Sequence, residues 1–173
     1  MPEGPTRYAW YDSPVGRLLL AGCPDGLTLI SFPSGSRRQR PAAGWQRDDA
    51  AFAAAMTQLA EYFAGTRKAF SLPLRPAGTA FQLSVWSALR EIPFGATLSY
   101  GELARRIGHP AAARAVGAAN GANPLPIVVP CHRVIGADRS LTGFGGGLDT
   151  TRFRLAHEAR LSPTLARQGE LFG

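Results

Sequence analysis

The sequence predicts an α/β (α+β) protein in two parts, on three observations. Residues 1–78 alternate β-favouring apolar runs with turn signals and carry one helical stripe. Residues 79–173 change texture to short helices separated by Gly- and Pro-rich loops. The 173 residues, 45% apolar, are enough to bury a core without cross-links.

In the first part, residues 6–12 carry Tyr8, Trp10 and Tyr11 and read as a strand. Residues 17–22 and 26–32 are two more, with turns at Ser13-Pro-Val-Gly and Cys23-Pro-Asp-Gly. Together they predict a three-stranded meander. The polar, basic stretch 34–44 is a loop. Residues 48–64 predict a helix with Phe52, Met56, Leu59 and Phe63 on its apolar face and Gly65 as its stop. Residues 70–74 are a candidate further strand, and 76–78 a linker. In the second part, residues 79–91 predict a helix capped by Thr79, with Phe81, Val85, Trp86 and Leu89 on one face. Residues 99–107 predict a short helix with Ser99 as N-cap and Glu102 completing a capping box. Residues 111–119 open a third helix, broken at Asn120-Gly-Ala-Asn-Pro, and 149–159 form a last one.

Nineteen basic residues against twelve acidic give a net charge of +7, and Lys68 is the one lysine. An arginine-rich excess suits a polyanionic partner, phosphate above all. Two cysteines, Cys23 and Cys131, exclude a disulfide framework and a four-cysteine zinc site, and a reduced cytoplasmic protein is expected. The opening residues have no apolar stretch of the signal-peptide kind, and runs such as 18–21 and 126–130 are too short to span a bilayer. No metal, cofactor or membrane contact is expected.

Helices 99–107 and 111–119, joined by a tight Gly-containing turn, form a helix-turn-helix pattern. The second helix offers Ala112, Ala113, Ala115 and Gly117, too short to read base edges in a major groove, with Arg114 as the one long probe. Such residues suit close approach to a minor groove. They suit a helix packed in a core equally. Pro130-Cys131-His132-Arg133 places a thiol beside an imidazole and a guanidinium. A free thiol is only a few per cent thiolate at neutral pH, so a nucleophilic Cys131 needs a base or nearby positive charge. Neighbouring side chains diverge, so His132 would work through a water and would need an acceptor on its other nitrogen, for which Glu158 is one candidate. Cys131 as a small buried residue is the alternative. Asn123-Pro124 is a turn former whose amide can tie two segments together, and 143–147 is a glycine-rich loop fit for a pocket wall or a flexible hairpin.

These residues together resemble the O6-alkylguanine-DNA alkyltransferase family. The resemblance rests on Ile127-Val-Val-Pro130-Cys131-His132-Arg133-Val134 preceded by Asn123-Pro124, on Ser99-Tyr100-Gly101, on Ala113-Arg114-Ala115-Val116-Gly117, and on Gly146-Gly147-Leu148 with Leu155-Ala156-His157-Glu158. It is strong over residues 79–160 and weak over the first 78. It implies a small ribonuclease H-like N-terminal domain, residues 1–78. Residues 79–173 would form a mostly helical, winged-helix-like catalytic and DNA-binding domain. It implies single-turnover transfer of an alkyl group from O6 of a flipped guanine in duplex DNA onto the protein's own cysteine, with O4-alkylthymine an open second substrate. Cys131 would be the nucleophile, His132 the water-mediated base and Glu158 its orienter. Asn123 would brace the helix-turn-helix against the active-site segment. Arg114 would fill the vacated stack, and Tyr100 would crowd the phosphate and donate to the base. The carbonyls of Cys131 and Val134 would accept from the guanine amino group. Pro126, Phe144, Gly145 and Gly146 would line the pocket. Phe144 stands where many relatives carry tyrosine, which predicts a changed preference among alkyl groups. No zinc is implied, and the protein would act as a monomer on DNA in the cytoplasm.

Three other readings compete. A lesion sensor of the same fold would lack the cysteine that stands here. A cysteine hydrolase using Cys131, His132 and Glu158 would leave Arg114, Tyr100 and the basic balance without a role. A helix-turn-helix regulator would leave Cys131 without one.

Overall fold

The computed structural model describes residues 5–35, 37–136 and 148–161. Its first half is a sheet of order β3-β2-β1-β4 with a helix against one face. Strands β1 (Arg7–Ser13), β2 (Gly16–Cys23) and β3 (Gly26–Ser31) form the expected antiparallel meander. Side chains alternate across a strand, so β2 sends Leu18 and Leu20 into the main core. Leu19 and Ala21 go to the opposite face, under Tyr8, Trp10 and Trp45. Burial on both sides explains the unbroken apolar run. A fourth strand, β4 (Gln46–Arg47), pairs parallel with β1. Residues 70–74 do not form a strand. They contribute one parallel bridge, Leu74 to Leu27, held by Leu27 N–H to Pro73 O at 2.9 Å and Arg75 N–H to Leu27 O at 2.8 Å. Pro73 has no N–H with which to extend a ladder.

The helix expected over 48–64 starts as a 3₁₀ turn, Asp49–Phe52, capped by the Asp48 carboxylate on Ala51 N–H, and continues as α1 (Ala53–Ala64). Gly65 closes it in the left-handed conformation at φ 85°. The buried face of α1 is Ala55, Gln58, Leu59 and Tyr62, rotated from the expected stripe, with Met56 and Phe63 only half-buried. Polar tips cause the rotation. Gln58 bonds both Ser71 N–H (2.9 Å) and Ser71 Oγ (3.2 Å), and the Tyr62 hydroxyl finds its partner inside.

The second half packs α2 (Ala80–Leu89), α3 (Tyr100–Arg106) and α4 (Ala113–Gly121) together, with the short strands β5 (Leu98–Ser99) and β6 (Val134–Ile135) paired in parallel. Thr79 and Gln82 form a complete capping box on α2, and Ser99 Oγ caps α3 by accepting from Glu102 N–H. Trp86 on α2 donates its indole N–H to Ala119 O on α4 at 2.8 Å. The α4 helix begins later than expected, with Ala112 as its N-cap, and runs through Asn120 to Gly121. Asn120 does not break it, because its amide bonds elsewhere in the fold. The last helix is α5 (Leu148–Leu161). One apolar cluster runs through both halves, from Ala9, Leu18 and Leu59 to Val85, Leu103, Leu125 and Cys131.

Candidate active site

The chain between α4 and β6 sets the site. Its residues 125–134 are all buried. Ile127, a β-branched residue, is held at φ 76°, a conformation it adopts only where the surroundings impose it. Asn123 holds the segment from the side. Its oxygen accepts from Leu125 N–H at 2.9 Å and its amide donates to Val129 O at 2.8 Å. Val129 O also accepts from Cys131 N–H at 2.8 Å, across a Pro130 at φ −81° and ψ 67°, an inverse γ-turn. Asn123 therefore meets the backbone of Cys131 at one shared carbonyl. The tie from the helix-turn-helix itself comes from Asn120 on α4, whose amide donates to Cys131 O at 3.3 Å. Val134 N–H also donates to Cys131 O. Both lone pairs of that carbonyl are thus engaged before any ligand arrives. The Asn120 oxygen, buried, has no hydrogen-bond partner among the described residues.

Cys131, His132 and Arg133 form a 3₁₀ turn that aims the last two at Glu158 on α5. His132 Nε2 lies 2.5 Å from Glu158 Oε2. Arg133 clamps the same carboxylate, Nε to Oε1 at 2.8 Å and Nη2 to Oε2 at 3.2 Å, and Gly95 N–H donates to Oε1 at 3.1 Å. On its other side His132 Nδ1 lies 3.4 Å from Arg154 Nη1, and that guanidinium stacks 5.0 Å from the Phe32 ring centroid. Burial opposes charge on both partners. It lowers the His132 pKa to about 4, with the Arg154 charge acting in the same direction against the pull of Glu158. Burial also works to raise the Glu158 pKa, but His132 and Arg133 outweigh it and hold the carboxyl well below its usual range. The resting pair is a neutral imidazole on an ionised carboxylate. With Nε2–H given to Glu158, Nδ1 is the accepting nitrogen, and the Arg154 guanidinium faces it at 3.4 Å. No hydrogen bond joins His132 to Cys131 among the described residues, consistent with neighbouring side chains that diverge.

The remaining expected residues fall on the second half's outer and inner walls. Arg114 and Ala115 are exposed at the start of α4, and Ala112, Ala113 and Gly117 are half-buried. The Tyr100 ring lies against Gly117, where a Cβ would sit 3.8 Å from it. Pro126 and Val134 are buried beside Cys131 in the chain. Phe144, Gly145 and Gly146 lie outside the described residues. The sequence reading did not find Tyr62, Gly95, Asn120 or Arg154. Tyr62 and Asn120 are polar groups on otherwise apolar helical stripes, whereas Arg154 shares a polar buried stripe of α5 with Thr151, His157 and Glu158.

A helix-turn-helix beside a buried thiol, imidazole and carboxylate defines a DNA-directed protein with nucleophile chemistry. Residues 80–160 match the family described as 6-O-methylguanine DNA methyltransferase, DNA binding domain, and residues 6–76 match its ribonuclease-like domain. The chain is 50% identical over 151 residues to the methylated-DNA–protein-cysteine methyltransferase of Methanosarcina acetivorans, covering 87% of this chain and 97% of that one. It is 51% identical to the Mycolicibacterium paratuberculosis protein of the same name, covering 91% and 94%. The solved structure of Mycobacterium tuberculosis OGT in complex with DNA superposes with a TM-score of 0.84 at 48% identity, covering 91% and 95%. The chain belongs to the 6-O-methylguanine DNA methyltransferase family and is a DNA-repair methyltransferase.

Proposed function

We propose that the protein reverses alkylation of duplex DNA by moving the alkyl group from O6 of guanine to Cys131 Sγ, once per molecule. The observation that carries this reading is the buried set His132–Glu158–Arg133 on the turn that begins with Cys131. The neutral His132 takes the thiol proton at Nδ1 through a water, which takes the place of the Arg154 guanidinium on that nitrogen. The resulting imidazolium is stabilised by Glu158. The thiolate attacks the alkyl carbon, the C–O6 bond breaks, and the electron pair leaves on the guanine, which takes a proton from Tyr100; the tyrosinate regains one from solvent as the His132 imidazolium gives up the thiol's proton. The product thioether has no route back to the thiol here, so the reaction stops at one equivalent.

Cys131 is only 1% exposed, and O6 of a paired guanine is buried in the duplex, so the base must leave the stack to meet it. Extrusion costs a few kcal/mol and least for a badly paired base. Arg114, exposed on the first turn of α4, fills the gap, and the small residues Ala112, Ala113, Ala115 and Gly117 let α4 approach the minor groove. The guanine amino group, a donor, finds no free lone pair at Cys131 O unless Asn120 yields, which leaves Val134 O as its readier acceptor. The net charge of +7 favours backbone-dominated, sequence-independent binding by a monomer in the cytoplasm at the chromosome. Pro126, Phe144, Gly145 and Gly146 would line the pocket, and the same pocket is to be tried with O4-alkylthymine.

The test is the intact mass of the protein after mixing with a duplex holding one O6-methylguanine. A gain of one methylene per protein, mapped to Cys131, is expected. Cys131→Ala should lose the gain and keep binding to the damaged duplex. Binding without a gain in the unaltered protein would make it a lesion sensor instead.

A further inference from the structure

Tyr62 lies on α1, 96 positions from Glu158, with none of its surface exposed. Its ring is packed by Phe63, Phe70 and Phe94 at centroid distances of 5.2, 5.7 and 5.9 Å. Its backbone carbonyl accepts from His157 Nε2 at 2.8 Å, which fixes α1 against α5. A phenylalanine would fill this space as well. What the tyrosine adds is a hydroxyl, and that hydroxyl donates to Glu158 Oε2 at 2.6 Å. His132 Nε2 meets the same oxygen. Packing therefore does not account for the residue, whereas control of the carboxylate does.

We propose that Tyr62 is a positioning residue for alkyl transfer, acting from the N-terminal half by fixing the Glu158 carboxylate against His132. The proposal rests on the transfer reaction proposed above. The hydroxyl does two things. It pins the carboxylate rotamer, so that Oε2 faces the imidazole while Oε1 is held by Arg133 and Gly95. It also competes with His132 for Oε2 and so limits how strongly Glu158 holds the proton that arrives during the reaction. Burial, and then the Glu158 charge, raise the Tyr62 pKa, so the phenol stays a donor throughout. The other charged or titratable groups around the carboxylate are His132 and Arg133 from the turn, Arg154 and His157 on α5, and Lys68 beyond the Phe94 ring.

Tyr62→Phe keeps the ring and removes the donor. Single-turnover transfer to the unaltered protein and to the variant is followed by mass against pH. The variant should transfer roughly 10-fold more slowly at neutral pH, the loss expected when a partner that orients a reacting group is deleted. Its acid limb should move to higher pH, because Glu158, with one donor fewer, holds the imidazolium more tightly. Its affinity for the damaged duplex should be unchanged. A purely structural role would leave the limb in place. Site-specific 3-fluorotyrosine at position 62, a more acidic donor of nearly the same shape, should move the limb to lower pH. A Tyr62→Phe protein with unaltered rate and limb, or a fluorinated one with an unaltered limb, overturns the role of Tyr62 alone. Absence of methyl gain in the unaltered protein overturns the transfer reading with it.

Discussion

His132 is 1% exposed, and burial lowers its pKa from the usual 6.5 to about 4, which sets the sign of two pH effects. In the unfolded chain the imidazole is charged below 6.5, while in the fold it stays neutral down to about 4. Between those values the unfolded state binds more protons, so stability is lost as pH falls, by at most about 1.4 kcal/mol per pH unit. The lowered Glu158 adds loss of the same sign at still lower pH. Urea midpoints measured from pH 8 down to 4.5 should therefore decline below 6.5, and His132→Asn, which removes the imidazole, should flatten that decline. An equal decline in the variant would place the titrating group elsewhere. Transfer should share the lower bound. In the proposed reaction the base is the neutral ring, so the rate should be level above about pH 5 and fall towards 4.

At the scale of the element, α4 packs one face into the core and, in the proposed complex, turns the other to the DNA. Gly117 sits between them. Its conformation is helical, and a Cβ there would lie 3.8 Å from the Tyr100 ring, an ordinary contact. Gly117→Ala should then gain about 0.5–1 kcal/mol of helix stability and raise the melting temperature by about 1–4 °C. The same methyl stands on the face proposed to meet the minor groove, so binding to the duplex should weaken. Thermal melting and a DNA titration on one sample check both, and a stabilised protein with undiminished affinity would move the contact off this face. Elements whose signals are local were legible in the sequence: the aromatic run of β1, the Thr79 and Ser99 caps, the five buried positions of β2. Elements made by tertiary contact were not. Gln46-Arg47 is two exposed residues with no period, yet pairs with β1. Asn120 carries a turn former's side chain, but Cys131 O gives its amide a partner and the helix continues. In the site, Cys131 and His132 stand out in the Pro-Cys-His-Arg run, whereas Glu158 is one candidate acceptor until the family resemblance selects it. Tyr62 was hidden because a tyrosine on an apolar stripe reads as core until its hydroxyl is seen on Glu158.

At the scale of the molecule, the expected division at residues 78 and 79 runs through a region where the two halves share bonds rather than merely touch. Ile30 N–H donates to Pro124 O at 2.8 Å, tying β3 to the turn that leads to Cys131. Tyr62 reaches Glu158, His157 reaches Tyr62 O, and Arg154 stacks on Phe32. Gly65 leaves room for Leu161, whose methyls would lie 3.0 Å from a Cβ. Each of these contacts is buried or apolar, and the main core is continuous across the division. Opening one half would expose the Glu158 carboxylate's partners and strip the core of the other, so the halves should unfold as one unit. Three tryptophans report on this separately. Trp10 and Trp45 lie on the sheet's outer face, and Trp86 lies between α2 and α4. A Trp86→Phe protein reports the first half by fluorescence, and a protein with Trp10 and Trp45 both changed to Phe reports the second. In urea, each should show fluorescence and far-ultraviolet dichroism that change together in a single transition. Tyr62→Phe, made in either background, should shift both signals by the same amount. Two separated transitions would mean that the halves are held together only weakly, and that a hydroxyl on α1 has no firm frame from which to direct a carboxylate on α5.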